Sequence, residues 1–324
     1  MAGDHGQHDV NRVPRFANVA TFLRAVQKAN AAGLDIALAG VPFDLGSSFR
    51  AGARHGPAQV REMSRLIKQL NYSTKVAPFE LCKIADVGDA PVNSLDIEAS
   101  LESIQAFFKD IVANGAVPLA VGGDHTISLP VLRAVAKDRP VGLLQIDAHS
   151  DTMDRMLGKE FANGTPFRRA IEEGLIDPRC TVQIGIRGTL FEADEHDWAY
   201  EQGVTIVSTD DFFELGVGKV IEKARGILAD EPVYLTFDMD VLDPAYAPGT
   251  GGLEIGGLTT RDAQLLLRGM YGLNFVGADI NEIAPPLDPT GNTALVAANI
   301  MFEELCILAD CIQRKRNPGT GGNR

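Results

Sequence analysis

A chain of 324 residues, 45% of them apolar, can fill the core of one large α/β domain. Its net charge of −13 argues against a nucleic-acid surface, which needs clustered lysine and arginine. Cys82, Cys180, Cys306 and Cys311 lack CxxC spacing and read as free thiols, and no apolar run nears the roughly 20 residues that span a bilayer. A cytoplasmic protein that meets neither nucleic acid nor membrane is expected.

Residues 1–15 are polar at the start and are expected to be mobile. From residue 16 to 316 the pattern is that of a single α/β domain. Strands are expected over Ile36–Val41 and Cys82–Val87, then a helix over Ile97–Ala113 and a strand over Ala116–Val121. A helix over Ser128–Lys137 follows, with strands over Val141–Asp147, Thr181–Ile186 and Val204–Ser208. The pattern continues with a helix over Thr209–Ala229, a strand over Val233–Asp238, a helix over Thr260–Tyr271 and a strand over Phe275–Ile280. A helix over Thr293–Lys315 closes it, and 317–324 reads as a flexible tail beyond the basic run Arg314-Lys315-Arg316. The apolar runs mostly lack strict alternation, as strands buried on both faces should. Repeated strand–helix–strand units imply a parallel sheet covered by helices on both sides, with ligands beyond the carboxyl ends of the strands.

Three of those ends carry unusual chemistry. Val121 is followed by Gly122-Gly123-Asp124-His125, Ile146 by Asp147-Ala148-His149-Ser150-Asp151, and Phe237 by Asp238-Met239-Asp240 and then Asp243-Pro244. Carboxylates packed so densely raise one another's pKa unless a cation neutralises them. Mixed carboxylate and imidazole donors suit Mn²⁺, Ni²⁺, Co²⁺ or Zn²⁺, and the number of donors exceeds what one ion with an open water position requires. Two ions sharing a bridging water would use them all.

At these residues the chain resembles the ureohydrolases, the family of arginases, agmatinases and guanidino-acid hydrolases, with the agmatinase-like branch nearest. The likeness extends through Phe43-Asp44-Leu45-Gly46, Gly164-Thr165-Pro166-Phe167-Arg168-Arg169, Gln183-Ile184-Gly185-Ile186-Arg187 and Asp279-Ile280-Asn281-Glu282. It implies a three-layer arginase-like α/β fold with an eight-stranded parallel sheet and two divalent ions, Mn²⁺ or Ni²⁺. One ion would be held by His125, Asp147, Asp151 and Asp238, the other by His149, Asp147, Asp238 and Asp240. Glu282 would pair with the substrate guanidinium, and metal-bound hydroxide would attack the guanidine carbon. Asp151 or Asp240 would pass a proton to the departing amine. Trimers or hexamers, or a hetero-oligomer with a related subunit, are implied as the assembly.

Two positions depart from the family pattern. Asn163 stands where the family carries a histidine before Gly-Thr-Pro-Phe, so a titrating group is lost there. Gly252 stands where relatives have threonine, which is expected to open space beside the substrate. Both changes point to a reshaped pocket for a modified guanidine, such as an N-alkylguanidine or dimethylbiguanide (metformin). The alternatives are an ordinary guanidinobutyrase, guanidinopropionase or agmatinase that releases urea, and a non-catalytic subunit of a hetero-oligomer. His196, between Glu195 and Asp197, is expected to be solvated. Arg168 and Arg169 are expected in ion pairs or subunit contacts, and His55 at a helix cap or the pocket entrance.

Overall fold

The computed structural model describes residues 5–9 and 11–318. Of the segments expected to be mobile, 1–4, 10 and 319–324 lie outside the described residues. Within the opening segment Gly6 N–H donates to Ile84 O and His8 N–H to Arg24 O, both at 2.9 Å.

All eight expected strands form: β1 (Ile36–Gly40), β2 (Ile84–Asp89), β3 (Val117–Val121), β4 (Val141–Ile146), β5 (Ile176–Ile186), β6 (Thr205–Ser208), β7 (Pro232–Asp238) and β8 (Asn274–Asn281). They make one sheet in the order β2-β1-β3-β8-β7-β4-β5-β6, with every neighbouring pair parallel. β5 starts earlier than its apolar run suggested. Its register against β4 shifts between Val141 and Leu143, opposite the stretch that holds Pro178. A proline has no N–H to give to a ladder and is tolerated at such a break.

The helices are α1 (Gly56–Met63), α2 (Pro78–Leu81), α3 (Ile97–Ala113), α4 (Ser128–Val135), α5 (Pro166–Glu172), α6 (Asp197–Gln202), α7 (Thr209–Leu215), α8 (Val217–Leu228), α9 (Thr260–Gly269) and α10 (Asn292–Arg316). The helix expected over 209–229 is two helices, because Gly216 takes φ 80° and ψ 149°, a conformation open to glycine. Ser208 with Asp211, and Thr259 with Asp262, form reciprocal capping boxes that fix where α7 and α9 begin. The short helices α1, α2, α5 and α6 escape periodicity. Three of them open on a proline in their first turn.

Side chains alternate between two apolar layers. Ile36 and Leu38 of β1 join one layer, with α8, α9 and α10, whereas Ala37 and Ala39 join the other, with α3, α4 and α5. Both faces of the central strands are thereby dry, and polar groups in them must find partners inside the sheet. No helix among the described residues is long and apolar enough to cross a membrane.

α10 buries two adjacent carboxyl groups with different fates. Glu303 pairs with Arg268 and accepts from Asn71 Nδ2 at 2.9 Å, whereas both oxygens of Glu304 are enclosed without a hydrogen-bond partner. Burial, aided by the charge of Asp279, pushes the Glu304 pKa well above its usual 4.5. The folded protein therefore keeps a proton that the unfolded chain releases, and stability falls as pH climbs past 4.5. Glu304→Gln should remove up to one proton's worth of that slope, about 1.4 kcal/mol per pH unit. Urea unfolding at pH 5 and pH 7.5 checks this, and identical slopes in variant and wild type would contradict it.

Candidate metal centre

The four central strands β3, β8, β7 and β4 are consecutive neighbours, and the residues just past their carboxyl ends are the acidic and histidine motifs. This arrangement follows from the chain path. After β3 the chain places β4 three positions away and extends outward through β5 and β6. It then returns to fill the gap with β7 and β8. A crevice opens where the winding direction reverses, as in other doubly wound sheets. Register does the rest, since Ile146 is level with Phe237 and Asp238 with Asn281.

The β3 end is shaped by Gly123. A Cβ there would lie 2.0 Å from Phe43 O, so no other residue fits beside the 43–46 turn. Asp124 holds that turn by accepting from Gly46 N–H (2.7 Å) and Thr126 N–H (3.0 Å), which leaves His125 to face the crevice. His125 Nδ1 then lies 2.9 Å from Asp151, 3.1 Å from Asp147 and 3.2 Å from Asp238. That nitrogen is fully enclosed and makes no conventional hydrogen bond.

A buried relay explains its state. Asp279 accepts from Thr236 Oγ1 and Tyr234 OH at 2.6 Å, from Ser128 Oγ at 2.7 Å and from Asn281 Nδ2 at 2.8 Å. The Thr236 hydroxyl has thus given its only proton to Asp279. It can meet His125 Nε2, 2.8 Å away, only as an acceptor. Nε2 therefore carries a ring proton, and against the effect of burial the carboxylates around Nδ1 draw positive charge to it, raising the ring's pKa well above 6.5. A nitrogen and three carboxylates that converge on a demand for positive charge fit a metal ion in place of that second proton.

A second group adjoins the first. His149 Nδ1 lies 3.0 Å from Asp240 Oδ2 and 3.8 Å from Asp147. The sets His125, Asp147, Asp151 and Asp147, His149, Asp240 each offer ligand atoms within 4.8 Å of one another, and Asp147 is common to both. Asp238 touches the first set and also accepts from Asp240 N–H at 2.8 Å. Burial, with Asp147 alongside, lifts Asp151 to about 6. Burial, with Asp240 and Asp147 alongside, raises Asp238 well above the carboxylate range. Such crowding is relieved by cations. Asp151 and Glu282 also take positive φ, 53° and 58°, outside the ordinary range for residues with a side chain. Strain of this kind persists where surrounding structure holds it, commonly at functional sites.

Glu282 is buried at the end of β8. It accepts from His125 N–H at 3.0 Å and from Asn163 Nδ2 at 3.3 Å. Burial, with Asp124 and Asp240 nearby, lifts its pKa to about 8. Asp151, Asn163, Asp238, Asp240, Gly252 and Glu282 all line one cavity of about 240 Å³. Every candidate site residue read from the sequence is thus brought to one place.

Other expectations need correction. Gly252 lines the cavity close to the site, where a Cβ would lie 3.0 Å from His149 Cε1 and 3.3 Å from Asp240 Oδ2, so a side chain there needs those neighbours to give by a few tenths of an ångström. The space gained by glycine is therefore small and lies against His149. His196 is half-buried and lines the cavity, since the loop before α6 turns it inward. Asp243 shapes a turn by accepting from Ala245 and Gly256 N–H groups. His55 precedes α1 and is exposed, with no side-chain capping bond. Arg169 pairs with Asp154 (2.8 Å) and Glu172 (2.9 Å), as expected of an ion-pair residue.

Three supporting residues were not foreseen. Gln145 Nε2 donates to Asp147 Oδ2 at 2.7 Å, and Gln183 Nε2 to Gln145 Oε1 and Ser150 O at 2.7 Å. Their signal was a lone amide within an apolar run, Val141–Ile146 for Gln145 and 182–186 for Gln183. Arg187 donates to the carbonyls of Asp240 and Glu254 at 2.8 Å and of Ile255 at 3.1 Å, clasping two site loops. Nothing in its immediate sequence announces that role.

Comparison with known proteins gives this geometry a lineage. Residues 34–306 match the arginase family model. The chain belongs to the arginase family. It is 49% identical over 316 residues to the guanidinopropionase of Pseudomonas aeruginosa, covering 97% of this chain and 99% of that protein. It is 42% identical to the guanidinobutyrase of the same organism, covering 94% and 97%. The solved structure of proclavaminate amidino hydrolase from Streptomyces clavuligerus superposes with a TM-score of 0.89 at 38% identity, covering 92% of this chain and 99% of that one. The arginase-like fold is therefore shown, and the chain is a hydrolase of C–N bonds in linear amidines.

The relay from Asp279 generates a test. Thr236→Val removes the acceptor that holds the His125 proton on Nε2 while keeping the side chain's shape. Mn²⁺ binding followed by calorimetry should weaken 10- to 100-fold, roughly the effect of losing an outer-shell partner. An unchanged affinity would mean that the hydroxyl does not set the ring.

Proposed function

We propose that this chain hydrolyses an unbranched guanidino acid, releasing urea and an amino acid, with the aid of two divalent metal ions. His125, Asp147, Asp151 and Asp238 would hold one ion, and His149, Asp147, Asp238 and Asp240 the other. The observation that carries this reading is His125 Nδ1 within 3.2 Å of three carboxylates, with a second imidazole–carboxylate group sharing Asp147. When bound, such a pair of ions lowers the pKa of water towards 7 and polarises the carbon under attack. Mn²⁺ and Ni²⁺ both suit the mixed donor set.

The protein's own part is positioning and proton handling. Glu282 offers two carboxylate oxygens to a planar guanidinium, a charge-assisted and bidentate match. Its Oε1 is fixed by His125 N–H and the Asn163 amide, so the carboxylate is aimed before substrate arrives. Water adds to the guanidine carbon and the bond from that carbon to the substituted nitrogen breaks. One water proton ends on the departing amine. Asn163 has no proton to exchange near neutral pH, which leaves Asp151 and Asp240, both in the cavity wall, to carry it.

Two of the similar proteins are named for guanidinopropionate and guanidinobutyrate hydrolysis, which supports a plain guanidino acid over a modified guanidine. The modified-guanidine reading rested partly on space at Gly252, and little is gained there, since an added Cβ would already lie 3.0 Å from His149 Cε1. A non-catalytic subunit fits poorly with a complete set of six candidate ligands.

Enzyme loaded with Mn²⁺ or Ni²⁺ should release urea from 3-guanidinopropionate or 4-guanidinobutyrate faster than from agmatine, arginine or dimethylbiguanide. Preference for dimethylbiguanide would overturn the assignment. Asp238→Ala should lose metal and turnover together while circular dichroism stays native. Glu282→Gln should keep its metal yet lose roughly 30-fold or more in kcat/KM, as expected when a buried charge pair loses one member.

A further inference from the structure

Another part of the cavity wall is built by the loop from Arg187, which donates to Asp240 O at 2.8 Å, to His196. The reaction as described makes no use of His196. Its backbone is held at the start of α6, where its C=O accepts from Tyr200 N–H at 3.1 Å. Arg168, stacked on Trp198 at 4.4 Å, ties the same helix to α5. The imidazole is thus carried by anchored chain, although the loop before it is exposed.

The two ring nitrogens differ. Nδ1 is enclosed and meets no hydrogen-bond partner. An orphaned N–H in such a place is rarer and costlier than an unused lone pair, so the proton belongs on Nε2. Burial also lowers the ring's pKa against the pull of Glu195 and Asp197, which keeps it neutral near pH 7. With Nδ1 turned into protein, Nε2 is the nitrogen left to the cavity, and it is a donor. Beside it stand the Thr189 hydroxyl and the cationic Arg187, which forms no ion pair among the described residues. Of the two acidic groups in this wall, Glu195 is engaged by Phe191 N–H at 2.9 Å, and Glu254 lies 3.9 Å from His149 Nε2.

We propose that His196 is a specificity-determining residue that receives the carboxylate end of the substrate, opposite the guanidinium held by Glu282. The proposal rests on the guanidino-acid reading and adds which residue reads the tail. A hydrogen bond from a neutral donor to a charged acceptor is worth about 1.5–3 kcal/mol, which converts to roughly 10- to 100-fold in affinity.

The test is equilibrium binding to metal-loaded enzyme by calorimetry, which needs no turnover. The ligands are 3-guanidinopropionate, its tail-less counterpart propylguanidine, and agmatine. His196→Ala should weaken 3-guanidinopropionate at least 10-fold and leave propylguanidine within two-fold, so that propylguanidine also reports an intact fold. His196→Gln, which restores a side-chain N–H, should recover part of the loss. Equal weakening of 3-guanidinopropionate and propylguanidine, no weakening of either, or a loss confined to agmatine would each overturn the assignment. Failure of the guanidino-acid reading itself would show separately, as wild-type enzyme that releases no urea from the panel.

Discussion

Like charges brought together in a dry crevice are the condition on which this molecule is built. Asp147, Asp151, Asp238, Asp240 and Glu282 come from three neighbouring strand ends, all buried. Carboxylates cannot share such a place as bare anions, and the upward shifts of Asp151, Asp238 and Glu282 express that conflict. Two divalent cations, as proposed, would resolve it by supplying positive charge among them. Binding metal and stabilising the crevice would then be one physical event.

The scaffold around the crevice sets ligand chemistry as well as position. Asp279 gathers four side-chain donors, and in doing so commits the Thr236 hydroxyl and, through it, the tautomer of His125. Gln145 and Gln183 do comparable work for Asp147 and the His149–Ser150 backbone. These polar residues sit inside strands whose neighbours are apolar on both faces. Their hydrogen bonds cannot be replaced by water, so each one specifies an orientation rather than merely filling space.

The cavity wall has two parts. At the floor, Glu282 and the carboxylate cluster present acceptors suited to a guanidinium. The other part is formed by Arg187 and His196, together with Glu195 and Glu254, and Arg187 also clasps the loops that carry Asp240 and Glu254. A substrate anionic at its far end would meet the proposed His196 donor there. The residue at position 163 belongs to the floor, where its amide steadies Glu282 but exchanges no proton.

By itself the sequence determined the eight strands, their parallel arrangement and the acidic and histidine motifs, from which the family resemblance picked six metal-ligand candidates. The strands and motifs depend on local facts: apolar runs too short for helices, and acidic residues placed directly after them. It also revealed the departures at Asn163 and Gly252. What only the tertiary structure decided depends on contacts between distant segments. The break at Gly216 was set by backbone geometry inside an otherwise helical pattern, and the inward turn of His196 by the path of a loop that reads as acidic surface. The confinement of Gly252 against His149 joins residues about a hundred positions apart, and the clasp of Arg187 spans more than fifty. Periodicity reports which face a residue takes on its own element. It carries no information about what another element brings to meet it.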